Sequence, residues 1–429
     1  MLYKTYHQHQ LDDIDGFRRL PKAIKDSVKI ASQVFPFKVS NYLVGELIDW
    51  DCIPDDPLFR LAFPLKEMLT QEDQATFTRL FESQATASEL IAASNVIRRR
   101  LNPNPADQKS NVPVHRGRPL NGVQHKYSRT VLLFPSAGQT CHSHCSFCFR
   151  WSQFTGIKEE KFACDDTARF YEYLAENTGI TDVLLTGGDP MVMSTARLED
   201  LLEPLITKKE FGHIQNIRFG TKALSFWPYR FISDKDADSL LRLFERLTKA
   251  GKHVALMAHF NHPRELETAA VKTAIERIAS TGAIIRTQGP VLAKINDDAA
   301  VWCELWRKQL TLGLVPYYMF MERDTGARDY FAVPIIRALD IYHSAVSGLS
   351  GLARTARGPV MATSPGKIEV LGIVEIGGQR YFSLRFIQAR KKNWENRHFL
   401  AGYSTTARWI DELTPAFAEQ HFFFADQLA

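Results

Sequence analysis

Cysteine is scarce in this chain: six residues in 429, too few for the disulfide frameworks that staple small secreted domains. Long apolar runs are missing too, and none reaches the roughly 20 residues that span a bilayer. The opening stretch, MLYKTYHQHQLDDIDGF, lacks the basic-then-apolar layout of a secretory signal. A strong charge of one sign is absent as well. The net charge of +5 is modest for this length, and the basic triplets Arg98-Arg99-Arg100 and Arg390-Lys391-Lys392 read as solvated faces rather than nucleic-acid contacts. No internal repeat or low-complexity tract stands out. What remains, 45% hydrophobic and 24% charged residues, is the composition of a globular protein. The expectation is a cytoplasmic protein with reduced thiols and no membrane segment.

Half of those few cysteines sit together. Cys141, Cys145 and Cys148 lie in T-C-H-S-H-C-S-F-C-F-R, a C-x3-C-x2-C spacing. Three thiolates can hold three irons of a [4Fe–4S] cluster and leave the fourth open to another ligand. A structural zinc site would ordinarily supply a fourth Cys or His at a second paired spacing. His142 and His144 are the candidates for that role, but they lie inside the triplet and would crowd one metal. The other cysteines, Cys52, Cys164 and Cys303, are scattered. The spacing, with Phe147 just before the third cysteine, resembles the signature of radical S-adenosylmethionine (SAM) enzymes. That resemblance implies an open iron that chelates SAM and a 5′-deoxyadenosyl radical made from it.

The rest of the chain divides by pattern into three parts. Residues 1–125 are expected to be mainly helical and to end in a linker. The stretch TQEDQATFTRLFESQATASELIAASNVIRRRL has helical spacing opened by Thr70 and Asp73 as a capping box. NPNPADQKSNVPVHRGRPLNG is too rich in Pro, Asn and Gly for a regular element. Over 126–346, apolar runs at 129–135, 181–188, 216–221, 253–260, 283–290 and 314–320 alternate with amphipathic helical segments. Strand–helix alternation means parallel pairing through right-handed crossovers, so the fold class is α/β, a partial (β/α)6 barrel. Chemistry in such barrels sits in loops after the strands, and the cysteines follow the first one. Over 347–429 an extension is expected, with a β-hairpin turning at Gly377-Gly378 and a tail that packs on the barrel or on a second copy in a homo-oligomer.

Several motifs recur in chain order: Y-L-V-G-E-L-I-D-W-D, H-K-Y-S-R at 125–129, the cysteine triplet, L-L-T-G-G-D-P at 184–190, H-F-N-H-P-R-E at 259–265, Q-G-P-V-L at 288–292, P-Y-Y at 316–318 and P-G-K at 365–367. Each is weak alone. The ordered set resembles the lysine 2,3-aminomutase family, across about residues 40–370. The resemblance implies migration of an amino group between adjacent carbons of a small amino acid, using SAM and pyridoxal phosphate (PLP). It also implies a one-electron donor such as flavodoxin or ferredoxin.

Carried over residue by residue, the resemblance gives Gly187, Gly188, Asp189, Gln288 and His259 to the SAM side of the site, with Asn261 and His262 facing the same mouth. Lys126, Tyr127 and Arg129 match a trio that holds the PLP phosphate, as donors to phosphate oxygens should. Arg150, two residues past the last cysteine, matches an arginine that grips the substrate α-carboxylate. Lys367 matches the lysine that forms the Schiff base with PLP. Three departures stand out. The glycine run before that lysine is three residues shorter here. No cysteine follows Cys303, so the family's C-terminal zinc cysteines have no counterpart. Where lysine-specific members place two aspartates around the substrate ammonium, alignment puts Arg323 and Thr363, with Asp324 one residue away. An arginine there repels lysine and attracts a carboxylate. The reading is therefore an aminomutase-like isomerase whose substrate is an anionic amino acid. A PLP-free radical SAM enzyme on another anionic substrate, or a non-catalytic cluster- or SAM-binding regulator, remains open at this point.

Overall fold

A computed structural model describes residues 1–102 and 110–427. Its centre is one eleven-stranded sheet whose spatial order follows the chain. We number the strands β1 (Val123–Tyr127), β2 (Thr130–Leu133), β3 (Asp182–Leu185), β4 (Asn216–Thr221), β5 (His253–His259), β6 (Ile284–Pro290), β7 (Val315–Phe320), β8 (Arg357–Ala362), β9 (Gly366–Ile376), β10 (Gln379–Ala389) and β11 (His398–Gly402). Each step from β2 to β8 is parallel. Helices Thr167–Glu176, Thr195–Thr207, Ala237–Lys249, Ala269–Ala279, Ala299–Thr311 and Ile335–Ser347 make the crossovers. All six expected strands are present within a few residues, and the sheet continues into a seventh parallel strand, β8. From there β9, β10 and β11 run antiparallel.

The two flanks of this sheet curl towards each other. β1, antiparallel to β2, comes close to β10. Lys126 on β1 donates to the Thr363 carbonyl beside β9, and Arg390 donates to Asn111 Oδ1 at 2.7 Å. The result is a barrel whose gap is bridged by side chains. Side chains alternate along each strand; one face packs the surrounding helices through Ile217, Phe219, Leu243 and Phe244, and the other lines a cavity.

The N-terminal region is helical, with one break that the periodicity hides. The stretch read as a single helix is two, Gln71–Glu82 and Ala87–Leu101, each with its own cap: Thr70 on the Asp73 amide and Thr86 on the Glu89 amide. Gln84 between them is left-handed at φ 53°. The loop expected over 102–122 lies partly outside the described residues; its described part includes the short paired strands Val114–His115 and Arg118–Pro119. Among the described residues no helix is long and apolar enough to cross a membrane.

Candidate active site

The cysteine loop follows β2 and is held in place by the N-terminal region. Two three-residue strands there, Thr5–His7 and Lys38–Ser40, pair antiparallel. Lys38 Nζ donates to the Cys141 carbonyl at 2.7 Å, and the His144 amide donates to the Lys38 carbonyl at 2.7 Å. The Ser40 amide donates to Ser143 Oγ at 2.8 Å, the Ser146 amide to the Leu61 carbonyl at 2.9 Å, and Tyr3 Oη to the His142 carbonyl at 2.9 Å. Backbone groups of a buried loop need such partners. Here they come from a segment about 100 residues earlier, which no local motif announces.

Gly187 and Gly188 close the other side. Gly187 sits at φ 138°, and a Cβ there would lie 2.1 Å from Gln139 Nε2; a Cβ on Gly188 would lie 2.2 Å from the Thr140 carbonyl oxygen. Gly187 therefore makes room for the Gln139 side chain and Gly188 for the Thr140 backbone, both in the stretch leading into the cysteine loop. Asp189 is buried and fully engaged. Its carboxylate accepts from Thr221 Oγ1 (2.8 and 2.9 Å), the Lys222 amide (2.9 Å) and the Met191 amide (2.9 Å). Burial nevertheless holds its pKa up at about 6. Asp189 thus ties β3, β4 and the loop together.

All six cysteines are free thiols. Burial pushes the Cys148 thiol up to about 11 and raises Cys141 and Cys145 as well. A bare thiolate is disfavoured there, as it is at the buried Cys164, so what sets the three apart is their place together in one loop. Among the described residues no three His, Cys, Asp or Glu side chains are gathered to hold one metal ion. His142 packs edge-on to Tyr3, and His144 stacks on Phe154 with ring centres 4.6 Å apart. Both are neutral aromatic packing groups, their pKa held down at about 3 by burial.

Beside the loop, inside the barrel, lies a cavity of about 280 Å³. It gathers Lys126, Tyr127, Phe147, Arg150, His259, Gln288, Arg323 and Lys367 from the sequence reading. A larger cleft of about 890 Å³ lies against Gln139 and Lys161 and includes none of the sequence-derived site residues.

Lys367 is the most informative of them. The shortened loop does not keep it out. Thr363, Ser364, Pro365 and Gly366 form a tight hairpin turn, with the Thr363 amide bonded to the Gly366 carbonyl at 2.9 Å, and Lys367 is the second residue of β9. Its Nζ donates to Gln388 Oε1 at 2.6 Å and lies 5.1 Å and 4.8 Å from the ring centres of Tyr127 and Tyr318. Burial, with the nearby Arg218 guanidinium, lowers its pKa to about 7. A lysine amine is nucleophilic only when neutral, and desolvation is how proteins make it so. The amine should therefore capture an aldehyde increasingly as pH rises through about 7, well below the range of an ordinary lysine. The visible absorbance of protein mixed with PLP across a pH series checks this.

Arg150 is buried between aromatic faces, its guanidinium 4.2 Å from the Phe134 ring centre and 5.0 Å from that of Phe149. Its Nη1 has no hydrogen-bond partner among the described residues. Burial brings its pKa down to about 9, with Arg323 adding to the shift. Arg323 lies 6.0 Å from the Phe149 ring centre and 5.4 Å from that of Trp409 in the C-terminal extension. Among the described residues His259 Nε2 is buried without a hydrogen-bond partner, its ring edge-on to Phe147.

Other residues lie elsewhere. Arg129 is exposed outside the cavity and donates to the Gly179 carbonyl at 3.4 Å; it borders a separate cleft with Lys392. Asp324 does not line the cavity and stands 3.4 Å from Arg323 Nε. Thr363 turns its hydroxyl to the Gly366 carbonyl at 2.9 Å. Asn261 and His262 serve a buried network instead: Lys222 Nζ donates to Asn261 Oδ1 (3.0 Å) and Glu265 Oε1 (2.6 Å), while Glu265 also accepts the Asn261 and His262 amides. The sequence reading missed Arg218, Glu322 and Gln388, all in the cavity wall. For Arg218 a signal existed. In N-I-R-F-G-T, Ile217 and Phe219 claim the outer face, which turns Arg218 inwards.

No protein-family model matches the chain. Individual relatives do. A protein of Aquifex aeolicus, provisionally named L-lysine 2,3-aminomutase, is 31% identical over 408 residues, 95% of each chain. The glutamate 2,3-aminomutase of Clostridioides difficile is 32% identical over 354 residues, 82% of this chain and 72% of that one. The L-lysine 2,3-aminomutase of Clostridium subterminale is 26% identical over 233 residues, 54% of this chain and 51% of that one. The match to the Aquifex protein runs nearly end to end, through the cysteine loop, the barrel and the strand of Lys367, and on it this chain belongs to the lysine 2,3-aminomutase family of radical SAM enzymes.

Proposed function

We propose that the protein is a radical SAM aminomutase acting on an amino acid with a second negative charge. A second guanidinium beside Arg150, that of Arg323 across Phe149, carries this reading on the cavity wall. Lys126, Arg150, Arg218, Arg323 and Lys367 line it, against the single carboxyl of Glu322. Asp182 and Asp324 partner Arg218 and Arg323 from outside the cavity; Lys126, Lys367 and Arg218 sit at the cofactor end around Tyr127, which leaves Arg150 and Arg323 for the substrate. A lysine ammonium brought to Arg323 would meet a like charge in a poorly screened site, at a cost of several kcal/mol on the order expected there.

When bound, the cluster with SAM supplies the hydrogen-abstracting radical and PLP carries the migrating nitrogen. Cys141, Cys145 and Cys148 would hold the cluster, Gln288 and His259 would face SAM, and Lys367 would offer the amine for PLP. Arg150 holds the α-carboxylate from its aromatic slot, and Arg323 takes the second acidic group, so the carbons between them stay in register with the cysteine loop. Phe147, Phe149 and Tyr318 exclude water from that space. The reaction also needs a one-electron donor of the flavodoxin or ferredoxin kind. That a glutamate 2,3-aminomutase is among the relatives agrees with an acidic substrate.

The test is anaerobic incubation with reductant, SAM and a panel of amino acids, read by mass spectrometry for isomerised product and 5′-deoxyadenosine. Acidic amino acids should be converted. Arg323→Asp should lower kcat/KM by roughly 100-fold or more, whereas Arg323→Lys should retain much of it. Efficient conversion of free L-lysine by the unmodified protein would overturn the acidic-substrate reading.

A further inference from the structure

Within the cavity the cations fall into two groups. Arg150 and Arg323 flank Phe149. Lys126, Lys367 and Arg218 gather around Tyr127 at the other end: Lys126 Nζ is 5.4 Å and Lys367 Nζ 5.1 Å from its ring centre, and Arg218 is near enough to both Lys367 and Tyr127 to act on their charge. A cofactor phosphate is a dianion near neutral pH and needs durable positive charge. Lys367 cannot supply it, because its amine is the one that reacts with the aldehyde. Lys126 already donates to the Thr363 carbonyl. Arg129, the motif's other cation, stands outside the barrel wall.

Arg218 is different. It projects from the middle of β4 into the cavity. Among the described residues only its Nε is engaged, on Asp182 Oδ1 of the neighbouring strand at 2.8 Å. That contact fixes the guanidinium plane and leaves the Nη edge, the pair of donors that matches two phosphate oxygens. From this placement we infer that Arg218 is the principal phosphate-binding residue of the PLP site, oriented by Asp182, and that Arg129 is not. This rests on the PLP part of the proposed function and adds a residue that no motif of the sequence reading contains.

The experiment compares PLP with pyridoxal, which has the same aldehyde and no phosphate. Dissociation constants are measured by absorbance on cluster-containing protein without SAM, at alkaline pH, where the Lys367 amine is free in every variant. Arg218→Gln should weaken PLP by on the order of 10- to 100-fold and leave pyridoxal within a small factor. Arg218→Lys should recover part of the loss, and Arg129→Gln should match the unmodified protein for both compounds. Because Arg218→Gln leaves Asp182 unpaired, the double variant Arg218→Gln/Asp182→Asn is measured too, and it should show the same phosphate-specific loss. Equal weakening of PLP and pyridoxal, or a phosphate-specific loss in Arg129→Gln but not in Arg218→Gln, overturns the assignment. If unmodified protein binds neither compound, the PLP reading itself fails. If it binds PLP and Arg218→Gln changes nothing, only the assignment of Arg218 fails.

Discussion

Replacing any one of Cys141, Cys145 or Cys148 with alanine should abolish iron incorporation, whereas Cys52→Ala and Cys164→Ala should leave it intact. Anaerobic reconstitution of the unmodified chain should give about four irons per chain, the content of one [4Fe–4S] centre. The expectation of total loss follows from how the loop is built. Its backbone at Cys141, His144 and Ser146 and the Ser143 hydroxyl are pinned by the segment between Lys38 and Leu61, so the chain cannot slide to offer another donor. No substitute thiol is at hand. Cys52 is exposed beside Asp49, Cys164 is buried with its sulfur towards the Asp166 carbonyl, and Cys303 lies on a crossover helix with its sulfur towards the Gly348 carbonyl. Iron and sulfide assays read the outcome. A colourless, zinc-loaded protein with all three loop cysteines protected would show that the loop is a structural zinc site.

Lys367→Ala should remove both the visible band formed with PLP and all borohydride trapping of the cofactor. Trapping followed by peptide mapping of the unmodified protein should place the label on the peptide that contains Lys367. The other lysines worth testing are poorly disposed for the role. Lys222 is buried in a complete set of acceptors, Glu265 Oε1, Asn261 Oδ1 and the His259 carbonyl, so capturing an aldehyde would leave Glu265 buried without its cation, a cost of several kcal/mol by the usual penalty for breaking such a pair. Lys294 sits at φ 66° with its amine over the Tyr330 ring, in a separate cleft. A label on either one would mean that β9 does not carry the reactive amine.

The barrel was legible because its strands are short apolar runs and its helices are amphipathic, two periodicities that do not imitate each other. The expected run 253–260 is β5 at His253–His259, and 216–221 is β4 without change. β1 was hidden because it carries the polar run Gln124-His125-Lys126 and looks like the loop before it. β8 was hidden behind Gly358-Pro359, which reads as a break. At the site, the cysteines stood out by their spacing alone, and Lys367 by the family resemblance of its short P-G-K motif. Spacing could not tell that Gly187 and Gly188 make room for Gln139 and Thr140 of the chain itself, that Arg129 faces outwards, or that Lys38 anchors Cys141 from about 100 positions away. Those facts depend on which segments meet in space.

The hairpin that delivers Lys367 has a consequence for how this sequence can change. The loop between β8 and β9 is only Thr363-Ser364-Pro365, and Ala362 pairs directly with Lys367. A glycine-rich loop can absorb an extra residue by bulging; this turn cannot. Strand faces alternate with every residue, so one residue gained or lost between Thr363 and Gly366 would carry the amine to the opposite face of β9, among the packing side chains. Compensation would take a second insertion or a bulge such as the register shift that already follows at Lys367/Ile368. At the far end of the same strand, the Gly377-Gly378 tip stands in open space and is free to vary in length. Along β9 the tolerance for insertion therefore runs from almost none beside the lysine to broad at the tip.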